Sequence, residues 1–507
     1  MKNTILLLLV FVPFALGAQN INDYLGVSTN RYQTTARATS MGNSIGALGG
    51  DASNATTNPA GLGLYRRSEF NFTTGLSFDN AKTSGEYDGS DDLIRAHINQ
   101  FAYIVPFSSR NGGSLVGSTI GFGMNKIADF NSNMSMSMSA ANGTSSLLDH
   151  YTYFYNHTSF EGLANLPVPN LADRIDADAA LGLDLIQGDD ASGYSNRIAG
   201  GGYKDQSVYR TVEQRGRINE WFISGALNFN NKLYLGATIG IQDLKYSRIV
   251  NHEEKTGSTA TAIFTNGDEF YLDMYNQYSE IFTSGMGYNL KLGLVYRISN
   301  ALRLGVAFHT PTLYALSDDY WTDISSYETN VATGKQENIY YTNPLKRNLY
   351  EYDLRTPLRV LVSGSYIIGK SASINAEYEY VSYNNGKFSN QKDFGDANQM
   401  IDNVLQGGHN FRVGGEYNVT PAFTLRGGYE YYSSAYKSAN TNSDAFYQTL
   451  NIGFGYRWEY TYLDMAYRTG WTEYYSLPYY SSTLDTDPLL KHTIMDNLVM
   501  LTFGFRF

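Results

Sequence analysis

The sequence predicts an all-β protein, a fourteen-stranded antiparallel transmembrane β-barrel, on three observations. Segments of about ten to fifteen residues alternate apolar with small or polar side chains. The connections between them run long and short in strict alternation. Mean hydropathy is only −0.32 although 42% of residues are hydrophobic. In a barrel every second strand residue faces lipid, so hydropathy stays that of a soluble protein. No apolar run beyond the N-terminus is long enough for a helical span.

Composition narrows the chemistry. The chain has 507 residues, no Cys, 37 Lys+Arg against 48 Asp+Glu, 43 Tyr and 49 Gly. Without Cys there is no disulfide scaffold, thiolate nucleophile, thiolate zinc site or acylated lipoprotein cysteine. A net charge of −11 argues against a nucleic-acid partner, which needs a basic footprint. At the N-terminus, Lys2 precedes an apolar run from Ile5 to Leu16, then Gly17 and Ala18. This is a secretory signal over 1–18, too short for a helical anchor, with cleavage after Gly17 or Ala18.

The strands expected are 69–80, 96–107, 114–126, 219–229, 232–248, 279–298, 301–316, 355–368, 371–384, 407–418, 421–433, 446–458, 461–470 and 495–507. The last is the clearest, with Val499, Leu501, Phe503, Phe505 and Phe507 on one face and Met500, Thr502, Gly504 and Arg506 on the other. Leu450, Ile452, Phe454, Tyr456 and Trp458 oppose Thr449, Asn451, Gly453, Gly455 and Arg457 in the same way. Alternation alone also suits a soluble sandwich. Loop lengths separate the two, because a sandwich has no reason to collect every long loop at one end. Outer-membrane barrels do, with even strand number, tight periplasmic turns and long outer loops. The short connections carry turn residues, as at Asn230-Asn231, Ser299-Asn300 and Gly369-Lys370. The connection 127–218 is the longest. Tyr378, Tyr380, Tyr429, Tyr431, Tyr432, Tyr456 and Trp458 lie near strand ends, where bilayer interfaces hold amphipathic rings. The barrel domain is 69–507, multi-pass in the outer membrane of a Gram-negative bacterium. Its terminal Phe507 resembles the signal read by the bacterial barrel-assembly machinery.

Residues 19–68 differ, being rich in Ala, Gly, Ser, Thr and Asn without a sustained period. By composition they are either a compact insert inside the lumen or a flexible periplasmic tail. Within them stand Ala36-Arg37-Ala38, Met41-Gly42, Asp51-Ala52 and Asn58-Pro59-Ala60-Gly61-Leu62. This block resembles the N-terminal hatch of the FadL/TodX family of outer-membrane transporters for long-chain fatty acids and other hydrophobic compounds. Leu304-Gly305-Val306-Ala307-Phe308-His309-Thr310-Pro311, Arg355-Thr356-Pro357-Leu358 and Phe411-Arg412-Val413-Gly414-Gly415-Glu416-Tyr417 are similar to later family segments. One departure is His309, where family members often carry Arg or another basic group. The resemblance implies a hatch (plug) in the lumen, carried by Asn58, Pro59 and Ala60. It implies capture of a hydrophobic ligand by outer loops and passive lateral exit at a kinked third strand. Gly117, Gly121 and Gly123 are the candidate gating residues there, since Gly permits a bulge. The partners implied are a fatty-acid-like small molecule, outer-membrane lipid and lipopolysaccharide.

Strand parity points Lys291, Arg297, Arg303, His309, Arg359, Arg412, Arg426 and Arg457 inward, with Glu377, Glu379, Glu416, Glu430 and Asp464. Most of these charges are expected to pair across strands. Eight basic groups against five acidic ones favour an anionic headgroup. Arg303, His309 and Arg412 are the candidate ligand-binding residues. Met134, Met136 and Met138 read as the apolar face of a strand end rather than a soft-metal site. His150 and His157 among Tyr and Phe do not make a haem or metal site, and the Asp173–Asp184 stretch reads as an amphipathic helix rather than a calcium loop. No catalytic residue, cofactor or metal is expected, and the protein is not read as an enzyme. The competing readings are a hydrophilic diffusion porin and a FadL-like binding or shuttle barrel in protein secretion.

Overall fold

The computed structural model describes residues 21–109, 113–139, 145–156, 171–189, 192–198, 206–256, 261–263, 269–342, 348–389, 391–479 and 488–507. The leader expected over 1–18 and His157 lie outside them. Fourteen barrel strands follow in chain order. They are β1 (Glu69–Ser84), β2 (Gly89–Ser108), β3 (Leu115–Asp129, resuming at Ser132–Ser139), β4 (Ser207–Phe229), β5 (Leu233–Lys255) and β6 (Glu269–Arg297). Then come β7 (Leu302–His309, resuming at Leu313–Asn330), β8 (Asn348–Arg355, resuming at Arg359–Ile368), β9 (Ala372–Val381 with Lys387–Phe388) and β10 (Gly408–Asn418). β11 (Phe423–Tyr432), β12 (Tyr447–Arg457), β13 (Thr461–Ser476) and β14 (Leu490–Arg506) complete the wall. Neighbours pair antiparallel, and β14 closes on β1 with Phe503 opposite Phe72.

Local chemistry explains the breaks and turns. β7 and β8 are interrupted side by side at Pro311 and Pro357, where a residue without an N–H cannot serve the ladder. The β4–β5 hairpin turns through Asn230 and Asn231 at φ 53° and 54°, the left-handed pair a tight two-residue hairpin requires.

The alternation sorts side chains as a membrane barrel needs. On β1, Phe70, Phe72, Leu76 and Phe78 are exposed outside, while Glu69, Asn71 and Thr73 are buried inside. β12 repeats this with Leu450, Ile452 and Phe454 outside and Thr449 and Asn451 inside. An apolar belt around a polar interior suits lipid and not water.

Several strands outrun their expected limits. β2 starts at Gly89 rather than 96, β6 at Glu269 rather than 279, and pairing of β3 with β4 continues to Ser139 opposite Ser207. Beyond the belt the outer face turns polar and alternation fades, yet the hydrogen-bond ladder persists. The connection expected over 127–218 is therefore in part a strand extension. Its Met134, Met136 and Met138 pack against Tyr87, Val208 and Val212, and it also carries helices at Leu147–Asn156 and Leu171–Gly182.

The segment from Ile21 to Leu64 fills the lumen. It comprises α1 (Ile21–Ser28), α2 (Ala36–Ser40) and two 3₁₀ turns, Ala52–Ala55 and Pro59–Leu64. Each element after α1 has a side-chain cap: Thr35 accepts from Ala38 N, Asp51 from Ser53 N and Asn58 from Ala60 N. Pro59 suits the first position of its turn because its missing N–H would have no partner there. Glycines on the wall make room for this chain. A Cβ at Gly236 or Gly293 would strike the Asn58–Ala60 backbone or side chain, and one at Gly414 or Gly428 would strike Met41.

Candidate functional site

The three candidate ligand residues all reach the hatch or its supports. Arg303 on β7 donates to Leu48 O at 2.6 Å, and His309 Nε2 lies 2.7 Å from Thr57 O. Arg412 on β10 is fully buried, 2.9 Å from Glu377 and 2.5 Å from Glu379, both on β9. Its guanidinium carbon lies 5.4 Å from the Tyr32 ring centre and 5.2 Å from that of Tyr432. The hatch is tied into the same network. Gly46 N donates to Glu377 at 3.2 Å, Asn43 to Glu430 at 3.3 Å, and Arg37 to Glu416 at 3.1 Å. Burial alone would lower the Arg37 pKa, but Glu416 and Asp51 beside it raise it above the ordinary value. Asn58 donates to Leu294 O at 3.2 Å, and Arg359 donates to Ser28 O.

The expected basic excess inside the barrel does not hold. Glu69, Glu220, Glu254 and Glu328 are also buried, Lys291 pairs with Glu220, and Arg426 pairs with Asp464 at 2.6 Å. Counting faces missed these carboxylates because Glu69 and Glu220 stand at the starts of the expected strands 69–80 and 219–229, and Glu254 and Glu328 lie on the extensions beyond the expected limits.

Toward the extracellular side the lumen holds an apolar cluster. Ile21 and Tyr24 of α1 meet Ile127 and Ala128 of β3, Tyr314 and Leu316 of β7, and Phe394 and Ile401 of a loop helix over Gln391–Val404. Tyr24 Oη holds α1 in place by donating to Tyr383 O at 2.6 Å.

Beside this cluster the wall is unzipped. β2 and β3 pair from Ser108/Gly117 up to Gln100/Asn125 and there stop. Above that level β2 pairs with β1, and β3 with β4. The two meet again at Asp88 and Ser137. Register shifts at Thr73/Thr74, opposite β2, and at Lys126/Ala128 in β3 mark the divergence. Where β3 leaves β2, it bonds instead to the hatch: Arg31 N donates to Ile127 O at 2.8 Å and Gln33 N to Lys126 O at 3.1 Å. Asn125 also donates to Thr56 Oγ1 at 2.7 Å.

The displaced β3 leaves a slot of ≈ 500 Å³ in the outer wall. One side is β2 at Arg95–Ile98, the back is Met124 and Lys126, and the other side is β4 and β5 with Arg217, Asn219 and Lys245. Gly121 and Gly123 lie below the slot in the paired part of β3, and Gly117 lies at the lower register shift. A Cβ on Gly123 would come within 2.8 Å of Ala102 Cα, so the glycine permits close strand approach there. The slot residues were not singled out from the sequence. The available signal was Lys126, a charge that interrupts the outward series Ile120, Phe122, Met124.

No family model matches the sequence, and no curated protein matches it significantly. Among solved structures, a Pseudomonas aeruginosa FadL homologue is similar with a TM-score of 0.55 at 12% identity, covering 94% of this chain and 98% of its own. The Pseudomonas putida toluene transporter TodX gives 0.49 at 11% identity, covering 95% and 100%. The Ralstonia pickettii toluene transporter TbuX gives 0.43 at 14%, covering 93% and 98%. With its closed fourteen-stranded barrel and its lumen filled by the N-terminal segment, the chain shares the fold of the FadL homologue.

Proposed function

We propose that this protein takes up hydrophobic small molecules, long-chain fatty acids or compounds like them, across the outer membrane of a Gram-negative bacterium. The observation that carries the reading is the slot between β2 and β3, set beside an apolar cluster on the inner side of the wall. The hatch is bonded to β3, β6, β7 and β9, across the path a hydrophilic solute would take. A greasy one has an apolar place to dwell and a gap in the wall toward lipid, and partition down a gradient drives it without coupled energy. Outer loops capture the ligand, the hatch yields, and the molecule leaves sideways. Gly117, Gly121 and Gly123 let β3 approach β2 closely below the slot, so that the divergence is confined above them. A carboxylate entering the lumen would compete with Leu48 O, Thr57 O and Glu377 for Arg303, His309 and Arg412. Ligand binding at those residues and loosening of the hatch are then one event.

Filling the slot tests the exit. Met124→Trp places a ring at its back, whereas Met286→Trp lies on the outer face of β6, exposed to lipid. Uptake of labelled palmitate and toluene into proteoliposomes should fall severalfold for the first and stay unchanged for the second. Equal rates in both variants and wild type would remove lateral exit at the slot. Alanine substitution of Arg303, His309 and Arg412 in turn, read by palmitate binding, tests the headgroup role; unchanged affinity in all three would dismiss it.

A further inference from the structure

We propose that the slot is also a docking site for the phosphate headgroup of an outer-leaflet lipid, a role independent of whether ligand leaves there. Its lining holds Arg95, Lys126, Arg215, Arg217, Lys245 and His97, and no carboxylate. Lys126 is engaged by Asp129, and Arg215 lies 3.3 Å from Glu213. Among the described residues, Arg95, Arg217 and Lys245 have no ion-pair partner. In the lumen, by contrast, Arg412, Arg426, Arg359 and Lys291 each meet a carboxylate, and Arg303 donates to a backbone carbonyl of the hatch. Three unpaired cations converging on one cavity repel one another, an arrangement that an anion relieves.

Position selects the kind of anion. Arg217 and Lys245 are cross-strand partners on the outer face, and share it with Trp221 and Ile239 lower in the belt. Arg95 and His97 pair with Ser77 and Gly75, level with the exposed apolar band of β1 from Phe70 to Phe78 but on its inner face, so they border the slot from the lumen side while Arg217 and Lys245 border it from outside. The slot thus opens in the outer half of the belt, with its exposed cations toward the extracellular edge. Ile98, Met124 and Phe282 give it an apolar part. A molecule matching both ends is an amphiphile with acyl chains below and a multiply charged head above. Phosphate fits this lip better than a carboxylate, since its three terminal oxygens can engage several cations at once.

The test uses the full-length protein purified in detergent and titrated with diphosphorylated lipid A, its dephosphorylated form, and palmitate. Arg217→Ser/Lys245→Ser removes two exposed charges outside the hatch network, and the unboiled gel shift checks that the barrel is intact. Affinity for diphosphorylated lipid A should fall about thirtyfold in the variant, taking the usual contribution of a basic residue near a lipid surface for each charge. Dephosphorylated lipid should bind weakly to both proteins. Inorganic phosphate at the same concentration should not displace the lipid; if it does, the slot is a free-anion site and the proposal fails. Equal affinity of variant and wild type for lipid A would overturn it too. So would equal binding of lipid A with and without its phosphates, or loss of palmitate binding alone, which would make the slot a carboxylate exit.

Discussion

Removing Arg412 should unseat the hatch. Its guanidinium is the cation shared by Glu377 and Glu379, and it lies 3.9 Å from Glu430, all of them buried. Glu379 keeps a second partner in Arg359 at 3.0 Å, but among the described residues Glu377 has no other cation. Arg412→Met therefore leaves Glu377 as a buried carboxylate that keeps, among the described residues, the Gly46 N–H of the hatch as its hydrogen-bond donor. Deleting one partner of a buried pair costs about 3–5 kcal/mol, because the other charge stays desolvated. That is roughly a hundredfold to a few thousandfold in the equilibrium affected. The double variant Arg412→Met/Glu377→Gln removes both charges and keeps an oxygen for Gly46 N, so it should recover most of the loss. Urea unfolding in lipid vesicles measures the energy, and conductance in planar bilayers reports the hatch. The single variant should be destabilised by several kcal/mol and show open-channel events, and the double variant should resemble wild type. The reasoning is refuted if the single variant loses less than about 1 kcal/mol, or if the double variant is no better than the single.

Two further predictions concern the seat of the hatch. Gly293→Val puts a branched side chain where the Asn58 amide now sits, and should raise steady conductance; Gly225→Val, which faces open space, should not. Matching conductance traces would show that the wall glycines do not seat the hatch. Asn58→Ala removes a turn cap and the bond to Leu294 O, and should lower stability by about 1–2 kcal/mol. Faster protease cleavage within 21–64 is the accompanying readout, and an unchanged cleavage rate would count against the cap.

The barrel was legible because lipid and lumen impose opposite demands on adjacent residues, and Val499 to Phe507 or Leu450 to Trp458 record them directly. What escaped is what those demands do not govern. Above the belt, β3 and β6 continue as strands through sequence with little alternation, since backbone pairing needs no particular side chain. The hatch motif could be recognised but not placed. Its seat depends on Gly236, Gly293, Gly414 and Gly428, which come from four different strands and share no local pattern. The slot was invisible for a deeper reason. It is a missing ladder between residues 89–99 and 126–136, and an absent pairing leaves no mark on either strand except the isolated Lys126. Parity placed Arg303, His309 and Arg412 on the inner face, but their partners Leu48, Thr57 and Glu377 required the folded chain.

The distribution of charge partners links the lumen to the slot. A cation left unpaired inside the lumen would hold an anionic ligand tightly, in a medium where its desolvation has already been met, and would slow its departure. Pairing Arg412 with Glu377 and Glu379 instead makes any carboxylate displace an existing partner, so binding is weak enough to be reversed and is coupled to the Gly46 contact of the hatch. A neutral hydrophobic molecule disturbs none of these pairs and depends on the apolar cluster alone. At the slot the logic reverses. Arg217 and Lys245 sit at the edge of the belt, where water and headgroups solvate a free cation at little cost, so nothing in the fold requires a carboxylate beside them. Around Arg412 charge is neutralised, as release of the proposed ligand requires; at the rim, charge is left free, where lipid can meet it.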